Sequence, residues 1–178
     1  EFSGYTSASV TTQNLAEWTY GKLEVRAKLP RGIGSWPAIW MLAANIGEVG
    51  WPKCGEIDIM EHVGFDPNVI HGTAHTQTYN HMRGTQLGKK ITVDDVYNTY
   101  HIYSIEWTPE RIDFLVDGVV YNTVVNQHKT TDEWPFDQNF HLKINNAIGG
   151  DWGGQKSIDD TSFPQKMFVD WVRVYQLN

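Results

Sequence analysis

The chain has 178 residues, a mass of 20.3 kDa and a formal charge of −7 at pH 7. Phosphate backbones attract cationic surfaces, so this charge argues against a nucleic-acid partner. A single cysteine excludes an intrachain disulfide and a cysteine-rich metal site, and no apolar run approaches the length needed to span a bilayer. The length predicts one domain, residues 1–178.

Alternating apolar and polar residues predict many short strands. They cover residues 20–29, 100–107, 111–116, 119–124, 140–145 and 167–175. Asp117-Gly118 between two of these runs predicts a two-residue hairpin. Only residues 132–138 are expected to hold a short turn of helix. The pattern therefore predicts an all-β fold, an antiparallel sandwich.

Tryptophan is abundant, with eight residues in the chain, and this suggests an aromatic-lined cleft. Trp36 and Trp40 are four residues apart and would share one face of a strand. Trp107 and Trp171 are expected in the core. The glycine-rich segment 149–154 is either a flexible loop or a cleft rim that carries Trp152.

Three carboxylates occur within six residues of a strand-like run. Glu56 and Asp58 share a face, whereas Glu61 joins them only if one extra residue, at Ile59 or Met60, forms a β-bulge. One interpretation is a solvated strand face, and another is a hard-cation site. We favour catalysis, because paired carboxyl groups with altered pKa values carry out retaining glycoside hydrolysis.

The segment after the acids, residues 71–75, alternates so that His71, Thr73 and His75 share a face. The short turn before it predicts that this run pairs with the acidic strand. A structural role and a catalytic role for the two histidines are about equally favoured, and neither has zinc spacing with a third ligand.

The acidic run has the Glu-x-Asp-x-x-Glu pattern and resembles glycoside hydrolase family 16, in its laminarinase (endo-1,3-β-glucanase) branch. Segments that also resemble the family follow in family order, at residues 5–8, 20–26, 34–41, 71–75, 145–150 and 168–175. The resemblance implies a jelly-roll β-sandwich of two curved antiparallel sheets with a concave substrate cleft. It also implies endo-acting, retaining hydrolysis of β-1,3- or mixed β-1,3/1,4-glucan without a catalytic cofactor.

The resemblance further implies roles for single residues. Glu56 corresponds to the nucleophile, Glu61 to the acid/base and Asp58 to an assisting carboxylate. Asp170 lies where many members bind a structural Ca²⁺ ion. The positions expected to contact sugar are Arg26, Trp36, Trp40, Trp51, His75, Asn145 and, on the glycine-rich segment, Trp152.

Family members usually carry a longer segment before the position of Tyr5, so we expect this domain to be short at its N-terminus. A polysaccharide substrate implies a secreted protein, and we expect a monomer. Two other functions remain open: a transglycosylase acting on the same glucans, and an inactive glucan-binding module.

Overall fold

A computed structural model describes residues 4–176, and nearly all regular structure in them is β-strand. The strands are β1 Ser9–Thr11, β2 Gly21–Lys28, β3 Ser35–Ala43, β4 Glu56–Glu61, β5 Val69–His75, β6 Leu87–Thr92, β7 His101–Trp107, β8 Arg111–Val116, β9 Val119–Val125, β10 Phe140–Ile148 and β11 Phe168–Tyr175. Two four-residue helices, α1 Ile46–Val49 and α2 Gly150–Gly153, lie in connections. Within this part of the chain, no helix is long and apolar enough to cross a bilayer.

The strands form two antiparallel sheets. The six-stranded sheet has the order β1-β10-β3-β4-β5-β6, and the five-stranded sheet has the order β11-β2-β7-β8-β9. The two sheets pack face to face as a jelly-roll sandwich, so the predicted fold class is confirmed. Because strand side chains alternate, each sheet has one core face and one outer face.

The core between the sheets is apolar. Ile39, Ile57 and Ile70 enter it from the six-stranded sheet, and Val25 and Phe114 enter it from the five-stranded sheet, all fully buried. The predicted Asp117-Gly118 hairpin joins β8 and β9, with φ values of 50° and 80° at its two residues.

Two expectations about secondary structure and burial were wrong. Residues 132–138 contain a turn and no helix, whereas Gly150–Gly153, within the predicted glycine-rich loop, forms a helical turn. Trp107 is buried in the core as expected, but Trp171 is not. Trp171 faces outward from the edge strand β11, opposite Arg26, and the Arg173 guanidinium carbon lies 4.1 Å from its ring centroid.

Candidate active site

The predicted bulge in β4 is confirmed by the register of its neighbours. On β3, Trp40 pairs with Asp58 and Ile39 pairs with Met60, which leaves Ile59 without a partner. Ile59 and Met60 are both fully buried in the core. The extra residue therefore returns Glu61 to the outer face, where it joins Glu56 and Asp58.

The acids belong to three rows of side chains that cross the outer face of the six-stranded sheet, which we call the acid face. The registers give the row of Glu61 as Ser9, Asn145, Ala38, Glu61, His71 and Lys90; the row of Asp58 as Thr11, Lys143, Trp40, Asp58, Thr73 and Gly88; and the row of Glu56 as His141, Leu42, Glu56 and His75. The predicted pairing of the histidine strand with the acidic strand is thus confirmed.

Glu56, Asp58 and His75 form the tightest group on this face. One ligand atom from each lies within 4.8 Å of the others, and His75 Nε2 is 3.2 Å from Asp58 Oδ2. Three donors this close have the geometry to bind a divalent ion. The same closeness couples their protonation, because charges in a buried site interact strongly.

Burial raises the pKa of all three carboxyl groups. The pKa of Glu56 rises to about 8, with burial as the main cause and the Asp58 charge as the second. The pKa of Glu61 rises to about 7, mainly through burial, although Trp36 Nε1 donates a hydrogen bond of 3.0 Å to Glu61 Oε1 and works against the rise. Burial also raises the pKa of Asp58, and the Glu61 charge adds to this. The cluster therefore retains protons at neutral pH, as acid catalysis requires.

A cavity of about 230 Å³ opens over the acids, and Trp36, Trp40 and Asn145 are among the residues that line it. Trp40 Nε1 donates a hydrogen bond of 2.7 Å to Asn145 Oδ1, which fixes the plane of the indole. Lys143 Nζ lies 4.5 Å from the Trp40 ring centroid. Aromatic faces beside a buried acid cluster suit a sugar ring, which is apolar on its faces and polar at its edge.

Trp51 and Trp152 lie on two sides of the acid cluster. The Trp51 ring centroid is 6.0 Å from that of His75 and 5.0 Å from that of His81. The Trp152 ring, carried by α2, is 5.7 Å from Trp36 and 4.8 Å from His71. The structure thus brings both next to the acids, and their contacts with sugar stay predictions.

Arg26, which the family resemblance places among the sugar contacts, is not brought to the acids. It lies on β2 in the five-stranded sheet, on the face turned away from the core, because Val25 and Ala27 beside it are buried. There its guanidinium pairs with Asp170 and lies 4.6 Å from the Tyr100 ring centroid. The acid face and Arg26 are therefore on opposite sides of the sandwich.

Asp170, the expected calcium ligand, lies at an irregularity in the pairing of β11 with β2. Its carboxylate is already bonded to the Arg26 guanidinium. Among residues 4–176, no group of three acidic, histidine or cysteine side chains gathers around it. Calcium prefers six to eight oxygen ligands, so an ion at this position would take most of them from backbone carbonyls and water, and the ion stays a prediction.

Two residues of the acid face were missing from the predicted sugar contacts, Lys143 and His71. Lys143 alternates with Asn145 on β10, and His71 alternates with His75 on β5. Alternation places His71 on the face of His75, as predicted above, without marking it as a sugar contact. The same period-2 rule puts Lys143 on the face of Asn145, a position that came from the family resemblance.

Comparison with known proteins agrees with this geometry. Residues 1–173 match the model of glycosyl hydrolases family 16. The chain is 52% identical over 179 residues to a β-glucanase of Rhodothermus marinus, covering 97% of this chain and 63% of the relative. It is 40% identical to a keratan-sulfate endo-1,4-β-galactosidase of Sphingobacterium multivorum, covering 97% of this chain and 40% of the relative.

Solved structures give the same picture. The X-ray structure of the laminarinase from Rhodothermus marinus superposes with a TM-score of 0.91 at 50% sequence identity, covering 94% of this chain and 70% of the other. The chain covers 63% and 40% of the two curated relatives named above, so it spans less than two thirds of their length.

Proposed function

The chain belongs to glycosyl hydrolase family 16, and from that premise we propose that it is an endo-acting, retaining hydrolase of β-1,3-glucan or mixed β-1,3/1,4-glucan. The observation that carries the proposal is the bulge at Ile59, because it brings Glu56, Asp58 and Glu61 to one face beneath an aromatic-lined cavity. A strand with regular alternation would direct Glu61 into the core, where it could not reach a substrate.

The reactive form is the one in which Glu56 is ionised and Glu61 is protonated, and because the pKa of Glu56 is raised to about 8 it is a minor form at pH 7. In that form the Glu56 carboxylate attacks the anomeric carbon as the glycosidic bond breaks. Glu61 gives its proton to the departing sugar oxygen, which leaves a glycosyl ester on Glu56. Water then attacks the same carbon, Glu61 takes the proton from that water, and the Glu56 carboxylate is released. Asp58 lies between the two and next to His75, and its charge and hydrogen bonding raise the pKa of Glu56.

A neutral glucan fits the acid face better than an anionic polymer. The cavity contains three carboxyl groups, which repel anionic substituents once ionised, and its other walls include Trp36, Trp40 and Asn145. The relatives point the same way, since those named as β-glucanase and laminarinase exceed the galactosidase in identity. Lys143 is the exception on this face, and its cation lies against Trp40.

Three further expectations belong to this proposal. The protein acts outside the cell, because a polysaccharide cannot cross a membrane. It acts as a monomer, because the three rows that form the acid face come from one chain. Calcium at Asp170 would be structural, and it has no part in the chemistry above.

Reducing-sugar release from laminarin, lichenan, carboxymethylcellulose and agarose tests the proposal. We expect activity on laminarin, with or without lichenan, and ¹H NMR should show that the β-anomer forms first. The variant Glu56→Gln should lose turnover and still bind laminari-oligosaccharides. Near-normal turnover in this variant would refute the assigned nucleophile.

Product analysis and a binding measurement on the same polymers separate the two remaining functions. A transglycosylase would give longer oligosaccharides when an acceptor sugar is added in excess, because the acceptor replaces water in the second step. A glucan-binding module would bind laminarin and release no sugar from any of the four polymers.

A further inference from the structure

Glu61 lies beneath an enclosure of three rings, those of Trp36, Trp152 and His71. Trp36 is on β3, His71 is on β5, and β4, which carries Glu61, runs between them. The Trp152 ring meets both flanking rings edge-on, at interplanar angles of 77° and 84°. Since Trp152 contacts residues on both sides of β4, its indole spans the strand at the level of Glu61.

The enclosure is fixed firmly on the side of Trp36. A Cβ added at Gly153 would lie 2.9 Å from Trp36 Cβ, and one added at Gly150 would lie 3.3 Å from the Trp36 ring. The helical turn α2 therefore packs closely against Trp36 through two glycines. Gly149 and Gly150 also have φ values of 74° and 76°, which permit the chain to turn over the sheet at this point.

On the other side, the enclosure depends on His71. This residue is directly opposite Glu61 in the β4–β5 register, and its ring centroid is only 4.8 Å from that of Trp152. Among the described residues, its buried Nε2 atom has no hydrogen-bond partner. Burial and the Lys90 charge lower the pKa of His71, so the ring is neutral at pH 7. Its observed interaction is therefore the edge contact with Trp152.

We propose that His71 is a positioning residue that holds Trp152 over Glu61 and thereby limits the access of water to the general acid. This inference rests on the proposed function, in which Glu61 donates the proton. A carboxyl group shielded from water keeps its proton to higher pH, because the anion loses solvation. Opening the enclosure would hydrate Glu61 and allow it to ionise at lower pH.

Other charges around Glu61 and His71 have to be held constant in a test. They are Glu56 and Asp58 on β4, His75 on β5, Tyr121 from β9, and the groups that act on His71, namely His62, Asp66 and Lys90. Replacing a neutral His71 changes none of these charges, so a shift in the ionisation of Glu61 reports on water access.

The test compares the pH dependence of kcat/KM on laminarin in His71→Ala, His71→Phe and the control His128→Ala. His128 is exposed, is paired with Glu110 and lies in the connection between β9 and β10, outside the acid face. We expect the basic limb of the profile to move to lower pH by about one unit in His71→Ala. In His71→Phe, which keeps an aromatic edge for Trp152, the limb should return toward its original position.

A uniform fall in kcat/KM with an unmoved basic limb in a folded His71→Ala protein would overturn the proposal. If that variant does not fold, Trp152→Ala removes the cover directly and should produce the same shift, and an unmoved limb there would also overturn it. If the wild-type chain turns over none of the glucans, the proposed function fails separately. In that case the ionisation of Glu61 is measured without turnover, by NMR of the same variants with ¹³C-labelled glutamate. An unchanged pKa of Glu61 would refute the role of His71.

Discussion

Replacing Glu56 by Gln should stabilise the protein while it abolishes turnover. Burial, followed by the Asp58 charge, raises the pKa of Glu56 from 4.5 to about 8 in the folded chain. Between those values the folded state holds a proton that the unfolded state releases, so the folding free energy contributed by this group is present at low pH and is lost as the pH rises. Gln has nearly the same shape and does not ionise, so the Gln variant does not lose this stability as the pH rises.

The expected size of the gain follows from the pKa. At about 1.4 kcal/mol for each pH unit, Glu56→Gln should be close to neutral at pH 4.5 and stabilising by about 3 kcal/mol at pH 7. The gain should level off near about 5 kcal/mol above pH 8. It grows with pH because only the wild-type protein has to ionise a buried carboxyl group.

Urea unfolding of wild type and Glu56→Gln at pH 5, 7 and 9 measures this difference directly. The matched control is Glu48→Gln, because Glu48 is an exposed glutamate in α1. The control should show no gain that grows with pH. Equal stability of Glu56→Gln and wild type at pH 9 would show that the ionised Glu56 does not lower the free energy of unfolding. That result would refute the raised pKa of Glu56.

Four further outcomes follow from the geometry. Glu61→Gln should slow glucan hydrolysis by about 10²- to 10⁴-fold, and it should slow cleavage of an aryl glycoside with a good leaving group much less, as parallel kcat measurements would show. Deletion of Ile59 removes the extra residue and leaves Glu56, Asp58 and Glu61 in regular alternation on the same face, so hydrolysis of laminarin should survive in this variant and in Ile59→Val, which keeps the bulge. Gly64→Ala places a Cβ 1.8 Å from the Gly32 carbonyl oxygen and should lower the unfolding free energy by about 3 kcal/mol in urea titration. Arg26→Ala should leave kcat/KM on laminarin unchanged, and a large loss would contradict its place on the opposite face.

Sequence periodicity predicted the acid face well, because the positions of side chains along one strand depend only on the spacing of neighbouring residues. The spacing of Glu56, Asp58 and Glu61 required one extra residue, and the structure has it at Ile59. The hairpin at Asp117-Gly118 and the pairing of β5 with β4 follow from similar short-range rules.

Alternation does not say which of the two sheets a strand joins. Arg26 entered the predicted sugar contacts through the family resemblance alone, and β2, which carries it, pairs with β7 and β11 in the other sheet. Trp171 shows a second limit, because alternation puts it on one face of β11 without saying whether that face is the buried one. Its place opposite Arg26 depends on long-range pairing.

The rows of the acid face run across the strands, and this determines the shape of polymer that can follow them. Neighbouring strands are about 4.8 Å apart, so the six positions from Ser9 to Lys90 span about 24 Å. Each strand is also rotated by about 20° relative to the next, so the direction of the row turns steadily as it crosses the sheet. A straight, ribbon-like polysaccharide meets only part of such a path, whereas a chain that bends at its linkages can remain in contact from one edge of the sheet to the other.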